Sequence, residues 1–216
     1  MPTAPPYQNG NLAGTRVSRE TWERLEDYSF HLERWTQTIN LVAQSGREHL
    51  WQRHVIDSAQ LWPFRHPETQ IWADLGTGGG LPGLVLAIMA HELSPRMRFH
   101  LVESDQRKAA FLRFIESRQN LGVVLHAGRI EKIPPLRAQT VSARALAPLP
   151  LLLGLVARHL APGGTAVLPK GLNFPQEKRE AEKTWSFSCL RHGSLVDSQA
   201  AILQIRDIQP RREPTS

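Results

Sequence analysis

The chain has 216 residues, of which 41% are hydrophobic, so it can bury a full core as one domain with an extension or as two small domains. Its 26 Lys and Arg residues outnumber 20 Asp and Glu, and the net charge of +6 favours a polyanionic partner such as RNA. The single cysteine, Cys189, excludes a disulfide framework within the chain and a cysteine metal cluster, and no apolar run is long enough to span a bilayer. We therefore predict a cytoplasmic monomer that uses no metal.

The N-terminal quarter of the chain predicts a tail and a helical extension. Residues 1–15 are rich in proline and glycine with few apolar anchors, which is typical of a flexible tail. From residue 17 to residue 35, apolar residues recur at three- and four-residue steps, which predicts an amphipathic helix with Ser18 as its N-cap. A second helix is predicted over about 47–61. Residues 16–66 are therefore expected to form an extension that caps the following domain.

Strands and helices alternate from residue 67 to residue 209. The predicted strands are 71–75, 98–103, 122–126, 140–145 and 165–169, and the predicted helices are 82–91, 105–119, 149–160 and 175–185. Residues 161–164 are predicted to end a helix, residues 187–190 and 201–208 to form an antiparallel pair, and residues 210–216 to form a tail. The pattern predicts an α/β fold with a mixed, mostly parallel, seven-stranded Rossmann-like sheet.

A glycine-rich turn after the first predicted strand is the strongest functional signal. It reads Asp74-Leu75-Gly76-Thr77-Gly78-Gly79-Gly80-Leu81-Pro82-Gly83 and contains a dinucleotide-type glycine spacing. Glu103 ends the next strand, about where a ribose-binding carboxylate is expected. Two such strand ends indicate an adenosine site, which both NAD and S-adenosylmethionine (SAM) would fit. Asp74 favours SAM, because its carboxylate would repel a pyrophosphate and attract the ammonium and sulfonium groups of SAM.

Other polar residues suggest further contacts. Arg144 follows a strand at the ligand-binding edge of the sheet, although such an arginine can also simply pair with a carboxylate. Lys170 follows another strand and is either a site contact or a solvated charge. His54, Asp57 and Ser58 share one helix and lack a separate nucleophile elbow, so we interpret them as a polar seam facing the glycine turn rather than a catalytic triad. The candidates for RNA contact are Arg47, Arg53, His54, Arg129 and Lys170.

Several motifs together resemble the glucose-inhibited division protein B family of small-subunit ribosomal RNA methyltransferases over about residues 17–208. They are Asn40-Leu41, Arg53-His54-Val55-Ile56-Asp57-Ser58, the glycine turn, Leu101-Val102-Glu103-Ser104, Lys108-Ala109-Ala110-Phe111-Leu112-Arg113, Gly128-Arg129-Ile130-Glu131, Ala143-Arg144-Ala145 and Pro169-Lys170-Gly171. The resemblance implies a class I methyltransferase that moves a methyl group from SAM to N7 of a guanine in the decoding-region loop of 16S rRNA, presented as free rRNA or in the 30S subunit.

The same resemblance implies roles for individual residues. Gly76 and Leu81 would hold the methionine part of SAM, with Asp74 and Gly78 in the same turn. Glu103 would bind the ribose hydroxyls, Ile130 and Glu131 would line the adenine, and Arg144 would close the site as the candidate catalytic residue. Three alternatives stay open: an NAD(P)-binding oxidoreductase, a non-catalytic rRNA-binding or assembly factor, and a methyltransferase for a small molecule or a protein.

Overall fold

An N-terminal hairpin and a long helix precede the sheet. The structure, a computed structural model, describes residue 7 and the ranges 10–42 and 49–211. Strands β1 (Asn11–Leu12) and β2 (Thr15–Arg16) pair as a short antiparallel hairpin. Because Leu12 is fully buried, residues 10–16 carry ordered structure, which differs from the flexible tail predicted for residues 1–15. Helix α1 (Arg19–Thr36) follows, with Ser18 as its N-cap as predicted.

The second predicted helix is less regular than the sequence suggested. A π-helical segment spans Trp51–Ile56 and continues into the short helix α2 (Asp57–Ala59), before a 3-10 turn at Trp62–Phe64. π-Helical turns are uncommon and tend to occur at functional sites, and no sequence rule used above distinguishes them from an α-helix. Residues 43–48, including Arg47, lie outside the described part of the chain.

The central sheet has seven strands in the order β5-β4-β3-β6-β7-β9-β8. The strands are β3 (Ile71–Leu75), β4 (Arg98–Glu103), β5 (Val124–Ala127), β6 (Ala138–Ser142), β7 (Leu160–Lys170), β8 (Trp185–Gly193) and β9 (Ala201–Pro210). The first five are parallel, and β9 pairs antiparallel with both β7 and β8. The predicted mixed, mostly parallel sheet is confirmed.

Four further helices flank this sheet. They are α3 (Gly83–Leu93), α4 (Gln106–Gln119), α5 (Leu149–His159) and α6 (Phe174–Thr184). One apolar core joins α1, α3 and α4 to the sheet, and a second joins α5 to the sheet. Every residue of α3 from Gly83 to Ala90 is buried, because α1 covers the side that would otherwise face water. The extension therefore forms an additional layer over α3.

The predicted helix stop is confirmed, because α5 ends at His159, but residues 161–164 lie within the next strand instead of before it. These residues belong to β7, which pairs with β6 first at Ala138 and Leu160 and then at Thr140 and Thr165. Between these two pairs the chain advances by two residues on β6 and by five on β7. Residues 161–164, which include the proline and the glycines, therefore form an irregular bulge within β7. Proline and glycine tolerate such a bulge better than a regular ladder, which is why the sequence pattern there resembled a loop.

Candidate active site

The glycine turn between β3 and α3 borders a cavity of about 580 Å³ at the carboxyl ends of the parallel strands. Gly78 has φ of +58°, and a Cβ built there would have only the Gly76 carbonyl oxygen, 4.0 Å away, within reach. A side chain at this position would be strained and would point into open space beside the cavity. The turn thus leaves room for a ligand to approach the backbone, which fits the predicted cofactor site.

Glu103 ties this turn to the start of α4. Its Oε2 accepts a hydrogen bond from the Gly78 N–H at 2.9 Å, and its Oε1 accepts one from the Asp105 N–H at 2.7 Å. The side chain is largely buried but lines the cavity. A carboxylate oxygen can accept more than one hydrogen bond, so Glu103 retains acceptor capacity toward the cavity.

Asp74 and Leu81 lie behind the turn and are not among the residues that line the cavity. Asp74 is fully buried, where its Oδ2 accepts from the Gly83 N–H at 3.0 Å and its Oδ1 accepts from the Ser142 hydroxyl at 2.7 Å. Burial raises the pKa of this carboxyl from 3.8 to about 6. Asp74 therefore joins β3, β6 and the first turn of α3, a structural role that its sequence position did not reveal.

Helix α1 supports the turn from the opposite side. The buried Tyr28 hydroxyl donates a hydrogen bond to the Gly79 carbonyl oxygen at 2.8 Å. A Cβ at Gly79 would lie 2.9 Å from the Cδ1 atom of Leu32, so α1 sits closely against the glycine backbone. Sequence reasoning treated α1 only as a cap and missed this contact, because an apolar helical stripe does not identify the surface that it covers.

The far end of the cavity is lined by the Gly128-Arg129-Ile130-Glu131 segment together with Lys108. The Ile130 carbonyl oxygen accepts a hydrogen bond from Nε2 of the buried His159 at 3.0 Å. Burial lowers the pKa of His159, which keeps the ring neutral with its proton on Nε2. Arg129 and Glu131 are exposed at the cavity, whereas His159 fixes the backbone behind them and was not anticipated from the sequence.

A second cavity of about 920 Å³ adjoins the first. The segment Ala145–Ala147 borders both cavities and separates them. The second cavity is lined on one side by Arg53, Asp57 and Arg144 and on the other by Lys170 and the 196–200 loop. Of the four predicted RNA-contact residues with described positions, Arg53 and Lys170 line this cavity, His54 lies behind Arg144, and Arg129 lies at the first cavity.

Arg144 forms a polar cluster with the helical segment before β3. Its guanidinium donates to Asp57 Oδ2 at 3.0 Å and lies 3.3 Å from Nδ1 of His54. Burial and the Arg144 charge lower the pKa of His54 to about 4, so the ring is neutral and its Nδ1 accepts from the guanidinium. The Ser58 hydroxyl is buried without a hydrogen-bond partner in the described part of the chain. Asp57 and His54 therefore form a polar seam with Arg144 and not, as predicted, with the glycine turn, and the Ser58 hydroxyl is not hydrogen-bonded to His54, which agrees with the rejection of a triad.

Lys170 is held within the protein rather than solvated. Its ammonium donates to the Ala147 carbonyl oxygen at 2.9 Å and to Glu177 Oε2 at 2.6 Å, and its side chain is only 10% exposed. Glu177 also accepts from the Leu149 N–H at 2.8 Å. The alternative of a solvated strand-end charge is therefore wrong. Lys170 and Glu177 instead fix the segment that separates the two cavities.

The described residues contain no group of three or more His, Cys, Asp or Glu side chains arranged to hold a metal ion. Within residues 10–42 and 49–211, no helix is both long and apolar enough to cross a membrane.

The sheet and its flanking helices have the fold of class I methyltransferases. A methyltransferase from Geobacter sulfurreducens superposes with a TM-score of 0.58 at 11% identity, covering 88% of this chain and 96% of that one. An O-methyltransferase from Bacillus cereus superposes with a TM-score of 0.52 at 15% identity, covering 83% and 90% of the two chains. At these identities the likeness concerns the fold, and it confirms the predicted Rossmann-like methyltransferase architecture.

The sequence decides the family. Residues 21–206 match the GidB family, described as rRNA small subunit methyltransferase G. Proteins named ribosomal RNA small subunit methyltransferase G are 48% identical in Cereibacter sphaeroides, over 88% of this chain and 91% of that protein, and 46% identical in Ruegeria pomeroyi, over 89% and 94%. This chain belongs to the GidB family and is a small-subunit rRNA methyltransferase. The predicted family and enzyme class are confirmed, and the oxidoreductase alternative is set aside.

Proposed function

We propose that the chain transfers the methyl group of SAM to N7 of a guanine in the decoding-region loop of 16S rRNA. The observation that carries the proposal is the pair of cavities that meet at Ala145–Ala147. One is bordered by the glycine turn and the Glu103 carboxylate, and the other opens toward Arg53 and Arg144. Donor and acceptor bound in the two cavities would meet at the edge of this segment, where the cavities adjoin.

The first cavity fits SAM, which supplies a methyl group on an already activated sulfonium. Gly76 and Gly78 present bare backbone to the methionine part, and Glu103 accepts hydrogen bonds from the ribose hydroxyls. Ile130 and Glu131 border the adenine. Asp74 and Leu81 act from behind the turn, where the buried Asp74 charge favours the cationic end of the cofactor without touching it.

The second cavity fits the target base. Guanine N7 carries a lone pair and no proton, so no general base is needed to activate it. In agreement with this, the His54 ring behind Arg144 is neutral, and its Nδ1 already accepts a hydrogen bond from the Arg144 guanidinium. Alignment of donor and acceptor can supply on the order of 7–11 kcal/mol. Arg144 closes this cavity and is held in place by Asp57. Transfer leaves positive charge on the base, which the nearby carboxylates Asp57 and Asp197 stabilise.

The candidate RNA-contact residues differ in how exposed they are. Arg53 and Arg129 are exposed at the two cavities and are suited to phosphate contacts. Lys170 and His54 are already engaged inside the protein, so we assign them to positioning. Arg47 lies outside the described residues and remains a candidate. We further propose that a monomer acts in the cytoplasm on 16S rRNA or the 30S subunit, with residues 16–66 as an extension of the 67–209 catalytic domain.

The test is transfer of labelled methyl groups from SAM. Deproteinised 16S rRNA and intact small subunits from cells lacking this methylation are incubated with the protein, and the labelled nucleotide is mapped by mass. A single 7-methylguanosine in the decoding-region loop is expected, and the preferred substrate shows whether folded ribosomal structure is read. A matched reaction with Gly78→Asp should give no label. Label at another atom or another RNA position would overturn the proposal, as would SAM binding without transfer.

A further inference from the structure

We propose that a groove between α1 and α4 binds a single-stranded RNA segment adjacent to the target nucleotide. This α1–α4 groove has a volume of about 530 Å³ and is lined by His31, Arg34, Trp35, Thr38, Ile39 and Phe114. It lies apart from the two cavities at the strand ends. The inference rests on the proposed function, since the RNA is the substrate of that reaction.

The groove carries a row of aromatic rings. The ring centroids of Phe30 and His31 are 5.2 Å apart, those of His31 and Phe114 are 4.9 Å apart, and those of Phe114 and Trp35 are 5.5 Å apart. Phe30 is 49% exposed although it is a large apolar side chain. Phe30 offers one exposed ring beside the groove, and the partly buried His31, Trp35 and Phe114 line it, so an unpaired base can stack on Phe30 whatever its sequence.

Positive charge accompanies these rings. The Arg34 guanidinium carbon lies 5.5 Å from the Phe30 ring centroid, so a cation and a stacking surface are presented together. A smaller cavity next to the groove is lined by Arg107 and Lys108. It also contains Asp105, whose carboxylate already accepts hydrogen bonds from the backbone N–H groups of Arg107 and Lys108. Rings combined with cations suit a single-stranded polyanion better than an apolar peptide.

The groove is continuous with the reaction site. Thr38 and Ile39 border both the groove and the smaller cavity. Lys108 borders both the smaller cavity and the cofactor cavity. A strand whose target base lies in the second cavity can therefore pass the mouth of the adjoining cofactor cavity and continue past Lys108 to the groove on α1. This continuity assigns the groove to nucleotides flanking the methylated base rather than to a separate ligand.

The test asks whether changes in the groove alter KM for the RNA substrate without altering the affinity for SAM. The variants are Phe30→Ala and the double variant Arg34→Glu/Arg107→Glu, with Arg96→Glu as the control. Arg96 is an exposed arginine just before β4. It lies at the amino-terminal edge of the parallel strands, opposite the carboxyl ends that border the two cavities. KM for small subunits and for deproteinised 16S rRNA is measured at several salt concentrations, together with kcat and the Kd for SAM.

The groove variants should raise KM for RNA and leave kcat and the Kd for SAM nearly unchanged. Loss of one stacked base predicts a KM increase of roughly fivefold or more for Phe30→Ala. Loss of two phosphate contacts predicts a salt dependence shallower by about 0.7 per contact in the double variant. Arg96→Glu should resemble the wild type. Ultraviolet cross-linking of wild-type protein to its methylated substrate should attach Phe30 or Trp35 to RNA near the target.

Two results would overturn the assignment of the groove. One is an unchanged KM in both groove variants. The other is cross-linking of the groove to a ribosomal protein instead of RNA, which would make the partner a protein. Failure of the proposed function would look different, because the wild-type protein itself would then place no methyl group on guanine N7.

Discussion

Replacing Asp74 by Asn should stabilise the protein, although Asp74 lies at the centre of the site. The carboxyl is fully buried, and its pKa is about 6 in the folded protein against 3.8 ordinarily. Each pH unit between these values corresponds to about 1.4 kcal/mol, so the ionised carboxylate costs the folded state about 3 kcal/mol relative to the unfolded chain. Asparagine has nearly the same shape and carries no charge.

The substitution also loses a hydrogen bond, which reduces the gain. The Ser142 hydroxyl donates to Asp74 and accepts from the Trp72 indole N–H at 2.9 Å. With an amide at position 74, that hydroxyl proton loses its acceptor at a cost of about 1 kcal/mol. The net expectation at pH 7 is stabilisation by about 2 kcal/mol. SAM binding should weaken in the same variant, because the buried negative charge is gone.

Urea denaturation of both proteins from pH 3.5 to pH 8 is the assay. Below pH 3.8 the carboxyl is protonated in both states and costs nothing. Between pH 3.8 and about 6 only the unfolded chain ionises, so wild-type stability falls as pH rises, and above about 6 the cost is constant. The difference between Asn and Asp should follow this curve, with Asp197→Asn as an exposed control. A flat difference, or an Asn variant that is less stable at pH 7, would refute the reasoning.

Three other substitutions test the site. Gly78→Asp should abolish SAM binding measured by calorimetry. Gly163→Asp should retain it, although Gly163 also has a positive φ and open surroundings. Equal affinities of the two variants for SAM would contradict the role of the turn. Arg144→Ala should lower methyl transfer about 10-fold or more with the circular dichroism spectrum unchanged, and full activity would exclude it from the site. Lys170→Ala should lower the free energy of unfolding by about 1–3 kcal/mol in urea, because the Ala147 carbonyl and Glu177 lose their partner; an unchanged midpoint would show that this contact fixes nothing.

Much of the sheet could be predicted because its strands are short, buried and bounded by turn residues. The bounds of β3 and β4 agree with the prediction, and the N-caps Ser18 and Asp105 were identified from the sequence. The bulge in β7 was missed, since proline and glycine occur both in loops and in irregular strands. Local pattern does not decide between these, because the pairing partner β6 is distant in the chain.

The position of the candidate site could be predicted from the sequence, but many of the contacts within it could not. Gly76, Gly78 and Glu103 line one cavity at the strand ends, as their positions in the sequence implied, and this is the cavity that we propose holds SAM. Partners brought in from elsewhere were not predictable: Ser142 for Asp74, and Glu177 for Lys170. Each pairing depends on how neighbouring elements pack, and a single sequence without spatial information does not contain that arrangement explicitly.

The hydrogen bond between Tyr28 and the Gly79 carbonyl couples the N-terminal extension to the glycine turn. Because α1 holds the cofactor turn through a buried hydrogen bond, the extension is not a detachable module. A cofactor that binds only when the turn is formed also favours the folded extension, by about 2.7 kcal/mol at a concentration one hundred times its Kd. Proteolysis within α1 should therefore slow when SAM is bound, and an enzyme that lacks α1 should lose stability together with cofactor affinity, because the apolar surface of α3 would be uncovered.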